Sequence, residues 1–192
     1  MMSDGIQHTN ELFKNSNLTF TPGVITSDLL EYEVMMDWES NIMQQHANIV
    51  CHNNGDVLEI GFGLGISADF IQSLNPTSHT IIEIHPQIYT KLETWAVGKS
   101  NVNIINADWK DIENTLGQYD GIFYDAISDI NLVEFMTIFT KDHIKNGGKM
   151  TYFNNHNSDI YGIGATFTQH TVTPTENGYY NDSVYYVPTV QY

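Results

Sequence analysis

The chain has 192 residues, 23 acidic side chains, seven lysines, no arginine and a formal charge of −16. That length suits one well-buried domain and is short for two, and the charge argues against a phosphate backbone as partner, leaving either cationic ligands or plain solubility as its use. A lone cysteine, Cys51, excludes an internal disulfide and a thiolate metal cluster, the eight histidines show no paired metal spacing, so no metal is expected, and no apolar run reaches membrane-spanning length.

The N-terminus lacks the basic and then apolar pattern of a secretion signal, which points to a cytoplasmic protein; with the charge and the lack of a spanning run, neither nucleic acid nor a membrane is expected as a partner. Residues 1–32 are polar, with Phe13, Phe20, Leu29 and Leu30 as apolar anchors, and read as a loose N-terminal arm placed to cover a cofactor. A single domain is expected over residues 33–192. From Glu33 to His52, Val34, Trp38, Ile42 and Ile49 recur at helical spacing, so a helix is predicted ahead of the first strand. On it Met35, Glu39 and Met43 share one face, which makes Glu39 either a solvated helix glutamate or an acid of the site.

Asp56 to Ser67 is the most informative stretch. Val57, Leu58 and Ile60 give a strand buried on both faces; Gly61, Gly63 and Gly65 then allow a sharp turn and close ligand approach before a helix opens at Ile66. Glu83 closes the next apolar run, twenty positions after Gly63, where a carboxylate can accept hydrogen bonds from ribose hydroxyls. The dinucleotide spacing is G-x-G-x-x-G, whereas this chain has G-x-G-x-G preceded by Glu59. A carboxylate there disfavours pyrophosphate and suits the ammonium and sulfonium of S-adenosylmethionine. A nicotinamide oxidoreductase, a donor-binding protein without transferase activity and a ligand-free glycine turn are the alternatives.

The remaining pattern alternates. Helices are predicted over 66–74, 86–95, 109–116 and 131–145, and strands over 79–84, 101–106, 119–125 and 149–154, which specifies a mainly parallel sheet with helices on both faces. Residues 164–173 and 183–190 read as an antiparallel pair at the end. Ligands of such sheets bind beyond the carboxyl ends of the strands, where Asp108, Trp109 and Asp125 fall. Trp109 either offers an aromatic face to an adenine or packs its helix on the sheet, and Asp125 either faces the reacting centre or caps the following helix.

Val34-Met-Met-Asp-Trp-Glu-Ser-Asn-Ile-Met43, Val57-Leu-Glu-Ile-Gly-Phe-Gly63, His79-Thr-Ile-Ile-Glu83, Trp109, Tyr119-Asp-Gly-Ile-Phe-Tyr-Asp125, Lys149-Met-Thr-Tyr-Phe-Asn154 and Tyr185-Tyr-Val-Pro188 together resemble guanidinoacetate N-methyltransferase and the related arginine δ-N-methyltransferases. The resemblance implies a Rossmann-like class I methyltransferase fold, α/β, with a seven-stranded mostly parallel sheet. It also implies methyl transfer from S-adenosylmethionine, leaving S-adenosylhomocysteine, to a guanidino nitrogen of a small guanidinoacetate-like cation, with a protein arginine as the rival acceptor; a monomer or homodimer is expected. By the same likeness Glu39 and Asp125 match the guanidinium-binding acids, here assigned to orientation and to proton acceptance. Met35 and Met43 match the donor pocket, and Phe62, Gly63, Leu64, Gly65, Ile66, Ser67, Glu83, Ile84, His85, Trp109 and Lys110 match further cofactor contacts. The chain departs from the likeness in Ser40-Asn41, in a short and polar span after the fifth strand, and in Asn155-His156, expected at the distal end of the acceptor.

Overall fold

A computed structural model describes residues 7–30, 32–127 and 131–192. Of the segment expected to be loose, residues 1–6 and 31 lie outside the described residues and the rest is regular: helix α1 (Gln7–Asn15) precedes a three-stranded antiparallel sheet of β1 (Leu18–Thr21), β2 (Val24–Ser27) and β3 (Glu33–Met36). Pro22 and Gly23 make the two-residue turn between β1 and β2, and Phe13, Leu18 and Ile25 anchor the layer in the main core. Strands of four residues are too short to register as a period, which is why the composition alone reads as an arm. The sheet also runs to Met36, past residue 32, because β3 pairs with β2.

The helix predicted from Glu33 begins later than expected. After β3 comes a single 3₁₀ turn, Asp37–Glu39, and then α2 (Ser40–Val50). Glu39 makes the junction: its Oε1 accepts the Met36 backbone N–H at 2.9 Å, ending the strand and starting the turn. Met35, Glu39 and Met43 therefore do not share a helical face. Met35 belongs to a strand, and Met43 is fully buried in the core.

The alternating pattern follows as β4 (Asp56–Ile60), α3 (Ile66–Ser73), β5 (Ser78–Glu83), α4 (Pro86–Ala96), β6 (Val102–Asn106), α5 (Trp109–Ile112) and β7 (Tyr119–Tyr124). Then α6 (Leu132–Glu134) continues through a π-helical stretch, Phe135–Phe139, into α7 (Thr140–His143). Three strands close the chain: β8 (Ile144–Tyr152), β9 (Thr166–Thr171) and β10 (Val184–Gln191). The helix predicted over 131–145 ends two residues early, and its strand begins at Ile144, five residues before the expected 149.

The seven strands lie in the order β6-β5-β4-β7-β8-β10-β9, parallel through β8 and antiparallel over the last two pairings. Alternate residues of each strand feed two cores. Val57, Ile81 and Phe123 join the cluster that includes Ile42, Ile71 and Leu92 from α2, α3 and α4, while Leu58, Ile82 and Ile122 join Trp109, Phe135 and Phe139. The chain is thus a doubly wound α/β fold. Among the described residues no helix is long and apolar enough to cross a membrane.

Gly121 sets how closely α2 approaches this sheet. A Cβ there would lie 2.1 Å from the Val50 carbonyl oxygen, a backbone atom with no rotamer to yield. Gly121→Ala is expected to cost about 3 kcal/mol through overpacking and to lower Tm by roughly 6–12 °C, which a calorimetric melt checks.

Candidate active site

The strand order reverses between β4 and β7, and there the backbone ladder runs one residue beyond the strands. The Gly61 N–H donates to the Ile82 carbonyl at 2.8 Å, that of Asp125 to Ile60 at 2.9 Å and that of Phe153 to Tyr124 at 2.9 Å. Gly61, Asp125 and Phe153 are thereby set in a row at the rim of a cavity of about 310 Å³. Open α/β sheets bind ligands at this crevice. Met35, Glu39, Gly61, Gly63 and Glu83 line the cavity, as do Ile84, Asp108, Trp109, Asp125 and Asn155.

Glu83 is buried at the end of β5 and pins the glycine loop: one carboxylate oxygen accepts the Phe62 N–H at 2.9 Å and the other accepts that of His85 at 2.7 Å. Burial outweighs these hydrogen bonds and pushes its pKa up to about 7. Asp108 Oδ1 accepts the Lys110 N–H at 3.0 Å and caps α5, while the Trp109 ring meets Phe135 and Phe139 edge-on with centroids 4.9 Å apart. Trp109 therefore both packs its helix and faces the cavity.

The two acids of greatest interest come from distant parts of the chain. Glu39 is 3% exposed, and its Oε1 accepts both the Met36 N–H and the Tyr179 hydroxyl, the latter at 2.6 Å. Burial raises it to about 7, against the opposing pull of those two donors. Asp125 is half-buried at the end of β7, and its pKa is raised well above the usual carboxylate range, first by desolvation and then by the negative charges of Glu39, Glu59 and Glu83. Such a pair is unfavourable while empty and is relieved by a cation.

Several expected contacts lie elsewhere. Glu59 does not face the cavity: it is fully buried beneath the loop, where its carboxylate accepts the Ser67 hydroxyl and His79 Nε2, the latter at 2.8 Å. Two residues before Gly61, its side chain shares the sheet face of Val57, against α3. Ser67 is spent on that bond. Phe62 turns its ring onto Trp95, with centroids 5.4 Å apart. Leu64 and Ile66 pack on the core, and Gly65 heads α3. His85 caps α4, its Nδ1 accepting the Gln87 N–H, and its Nε2 meets the Ser16 carbonyl at 3.1 Å, tying the first layer to the sheet. His156 is exposed beyond the cavity, since its backbone is turned outward by two hydrogen bonds with Asn154. Met43 lies in the core, as noted above.

The profile of the family described as "Guanidinoacetate N-methyltransferase" matches residues 2–160. The chain belongs to the guanidinoacetate N-methyltransferase family. Similar proteins include "Protein arginine N-methyltransferase 2" of Aspergillus oryzae, 34% identical over 82% of this chain and 40% of that protein, and its namesake in Saccharomyces cerevisiae, 26% identical over 98% of this chain and 55% of that protein. The chain thus spans about half the length, or less, of these relatives. Among solved structures, spermidine synthase of Thermotoga maritima aligns with a TM-score of 0.62 and 15% identity, over 92% of this chain and 68% of that one. Precorrin-6y C5,15-methyltransferase of Geobacter metallireducens aligns with a TM-score of 0.57 and 15% identity, over 80% and 86%. At those identities the likeness speaks to the Rossmann-like fold alone.

Within this member of the guanidinoacetate N-methyltransferase family, Tyr179 is the site residue that the sequence conceals. It lies in an irregular segment before β10, and no period or motif announces it. Asn10 of α1 also lines the cavity unannounced, beside Phe13, an expected anchor of the covering arm, and Phe153 after β8. Tyr179→Phe is expected to raise the Glu39 pKa further, because the lost hydroxyl favours the ionised form, and to shift the acid limb of the rate profile to higher pH. Loss of one hydrogen bond to a charged group should lower kcat/KM at pH 7 about tenfold. A pH series of initial rates checks both.

Proposed function

We propose that this chain transfers a methyl group from S-adenosylmethionine to a guanidino nitrogen of an arginine side chain within a polypeptide. The observation that carries the reading is the meeting of Glu39 and Asp125 at one cavity, both held at raised pKa with no lysine among the lining residues. A guanidinium is the flat cation that two carboxylates bind bidentately. The donor also fits the residues present: the loop backbone at Gly61 and Gly63 faces the cavity, Glu83 and Asp108 offer acceptors, and Ile84 and Trp109 offer apolar wall. When bound, the donor supplies a methyl carbon activated by a sulfonium.

The residues of this chain have separate tasks. Glu39, fixed by Met36 and Tyr179, keeps lone pairs free to orient the guanidinium N–H groups. Asp125 accepts from the reacting nitrogen and takes its proton as the carbon–nitrogen bond forms and the carbon–sulfur bond breaks. Apolar walls from Phe13 and Phe153 exclude water.

The family resemblance implies a small guanidinoacetate-like acceptor, and the names of the similar proteins favour a protein arginine instead. The charge pattern agrees with the second: the carboxylate of a guanidino acid would meet Glu33, Glu39 and Asp125 in the cavity and no lysine. The deciding experiment offers methyl-labelled donor with an arginine peptide and, separately, with guanidinoacetate. Label in the peptide, at a guanidino nitrogen by fragmentation mass spectrometry, is the expected result. Label in neither removes the proposal.

A pH dependence follows from the raised carboxyls. Glu39 and Glu83 keep their protons up to about 7, above the ordinary 4.5. Only the ionised Glu39 pairs with a guanidinium, so acceptor affinity should rise as pH increases through about 7 and binding should release a proton, measurable by calorimetry in two buffers. For the free protein the sign is opposite. At these two groups the folded state binds the proton more tightly than the unfolded one between about 4.5 and 7, so their contribution to stability is lost across that window, while buried His46, lowered to about 3, contributes with the opposite sign below its ordinary 6.5. Asp120, lowered to about 2, acts only below that window.

A further inference from the structure

A second recess of about 220 Å³ opens beside the cavity, and Asn155 lines both. One wall is the loop after β8, residues 154–157, and another carries Asp182 and Tyr186. The loop is fixed from beneath by Asn154, which is 5% exposed. The Asn154 backbone N–H donates to the Tyr185 hydroxyl at 2.8 Å, its side-chain amide donates to the Tyr186 carbonyl at 3.1 Å and to that of His156, and its Oδ1 accepts the His156 N–H at 3.0 Å. Tyr185 is in turn held 3.4 Å from the fully buried His46, whose other ring nitrogen meets Thr151 Oγ1 at 2.7 Å.

The outward side chains of this braced loop are unspent. Asn155 and Asn157 are exposed, and their side chains make no hydrogen bond among the described residues. A side-chain amide carries the donors and the acceptor that match a peptide unit, and one presented by a fixed loop loses little freedom on binding. Asp182 places a negative charge in the same recess, and no lysine lines it. A small guanidino acceptor in the cavity could touch Asn155 but not Asn157 or Asp182, which line the recess alone.

We propose that the main chain flanking the acceptor arginine lies along this shelf, with Asn155 and Asn157 pairing its peptide groups and Asp182 favouring a basic neighbour. The inference rests on guanidine methylation in the adjoining cavity. It is tested with three acceptors: propylguanidine, which has no peptide unit, a seven-residue glycine peptide with arginine at its centre, and the same peptide with one flanking lysine. The peptides are expected to have the lower KM. Asn157→Ala should raise KM for both peptides about fivefold, with kcat unchanged and with both constants for propylguanidine unchanged. Asp182→Asn should raise KM about twofold for the lysine peptide alone. Equal KM for all three acceptors, or substitutions that shift all three alike, would overturn the shelf and leave the methyltransferase reading standing. Methylation of none of them, with donor still bound, would remove both.

Discussion

Asp125→Asn is expected to leave donor affinity within about threefold while lowering kcat about a thousandfold. The exchange is isosteric, so β7 and its ladder bond from the Asp125 N–H to Ile60 are retained. Two functions are lost together. The amide cannot take the proton released as nitrogen is alkylated, and its NH2 group presents hydrogen atoms where the guanidinium needs an acceptor. The raised pKa of Asp125 makes this loss larger than for an ordinary surface aspartate, since a carboxylate destabilised by burial and by Glu39 is a stronger base. Single-turnover kinetics with labelled donor, alongside a donor titration, separate the two effects. Retained turnover would take Asp125 out of the proton transfer.

Gly61→Ala should have the second largest effect, on donor binding and fold at once. Gly61 has φ +87°, a region that side chains rarely adopt, and a Cβ on it would lie 2.1 Å from the Asp125 carbonyl oxygen. Relief requires the ends of β4 and β7 to part, which strains the bonds from Gly61 to Ile82 and from Asp125 to Ile60. Left-handed strain and backbone overpacking together should cost about 4 kcal/mol, and donor affinity should fall about a hundredfold as the loop moves out of register. Gly98→Ala is the matched control: φ is +80°, yet nothing lies within 4 Å of the added Cβ. It should show the strain alone, about 1 kcal/mol, and no change in donor titration. Equal behaviour of the two variants would mean that the close approach to Asp125 carries no weight.

The parallel order of the central strands was legible because each strand and each helix is a local pattern, and the connections between them are short. The final antiparallel pair was legible for the same reason: Thr166–Thr171 falls within the predicted 164–173, and Val184–Gln191 overruns the predicted 183–190 by one residue. The first layer was not. Its strands have four residues each, and its third strand, Glu33–Met36, lies inside a stretch whose apolar spacing also fits a helix. Pairing of β3 with β2 settles that ambiguity, and the pairing partner lies outside any window over which a period is counted.

The sequence by itself determined the alternating architecture, the glycine loop and the presence of acids at the strand ends, because backbone conformation and side-chain parity along a strand are local properties. Tertiary structure decided which acids face the cavity. Glu59 lies two residues before the loop and Glu83 at the end of the next strand, but Glu59 is closed off by Ser67 and His79, whereas Glu83 lines the cavity. Only the folded chain could bring Tyr179 to Glu39, 140 positions apart, since that contact depends on the sheet order and on how α2 and the segment before β10 pack across it.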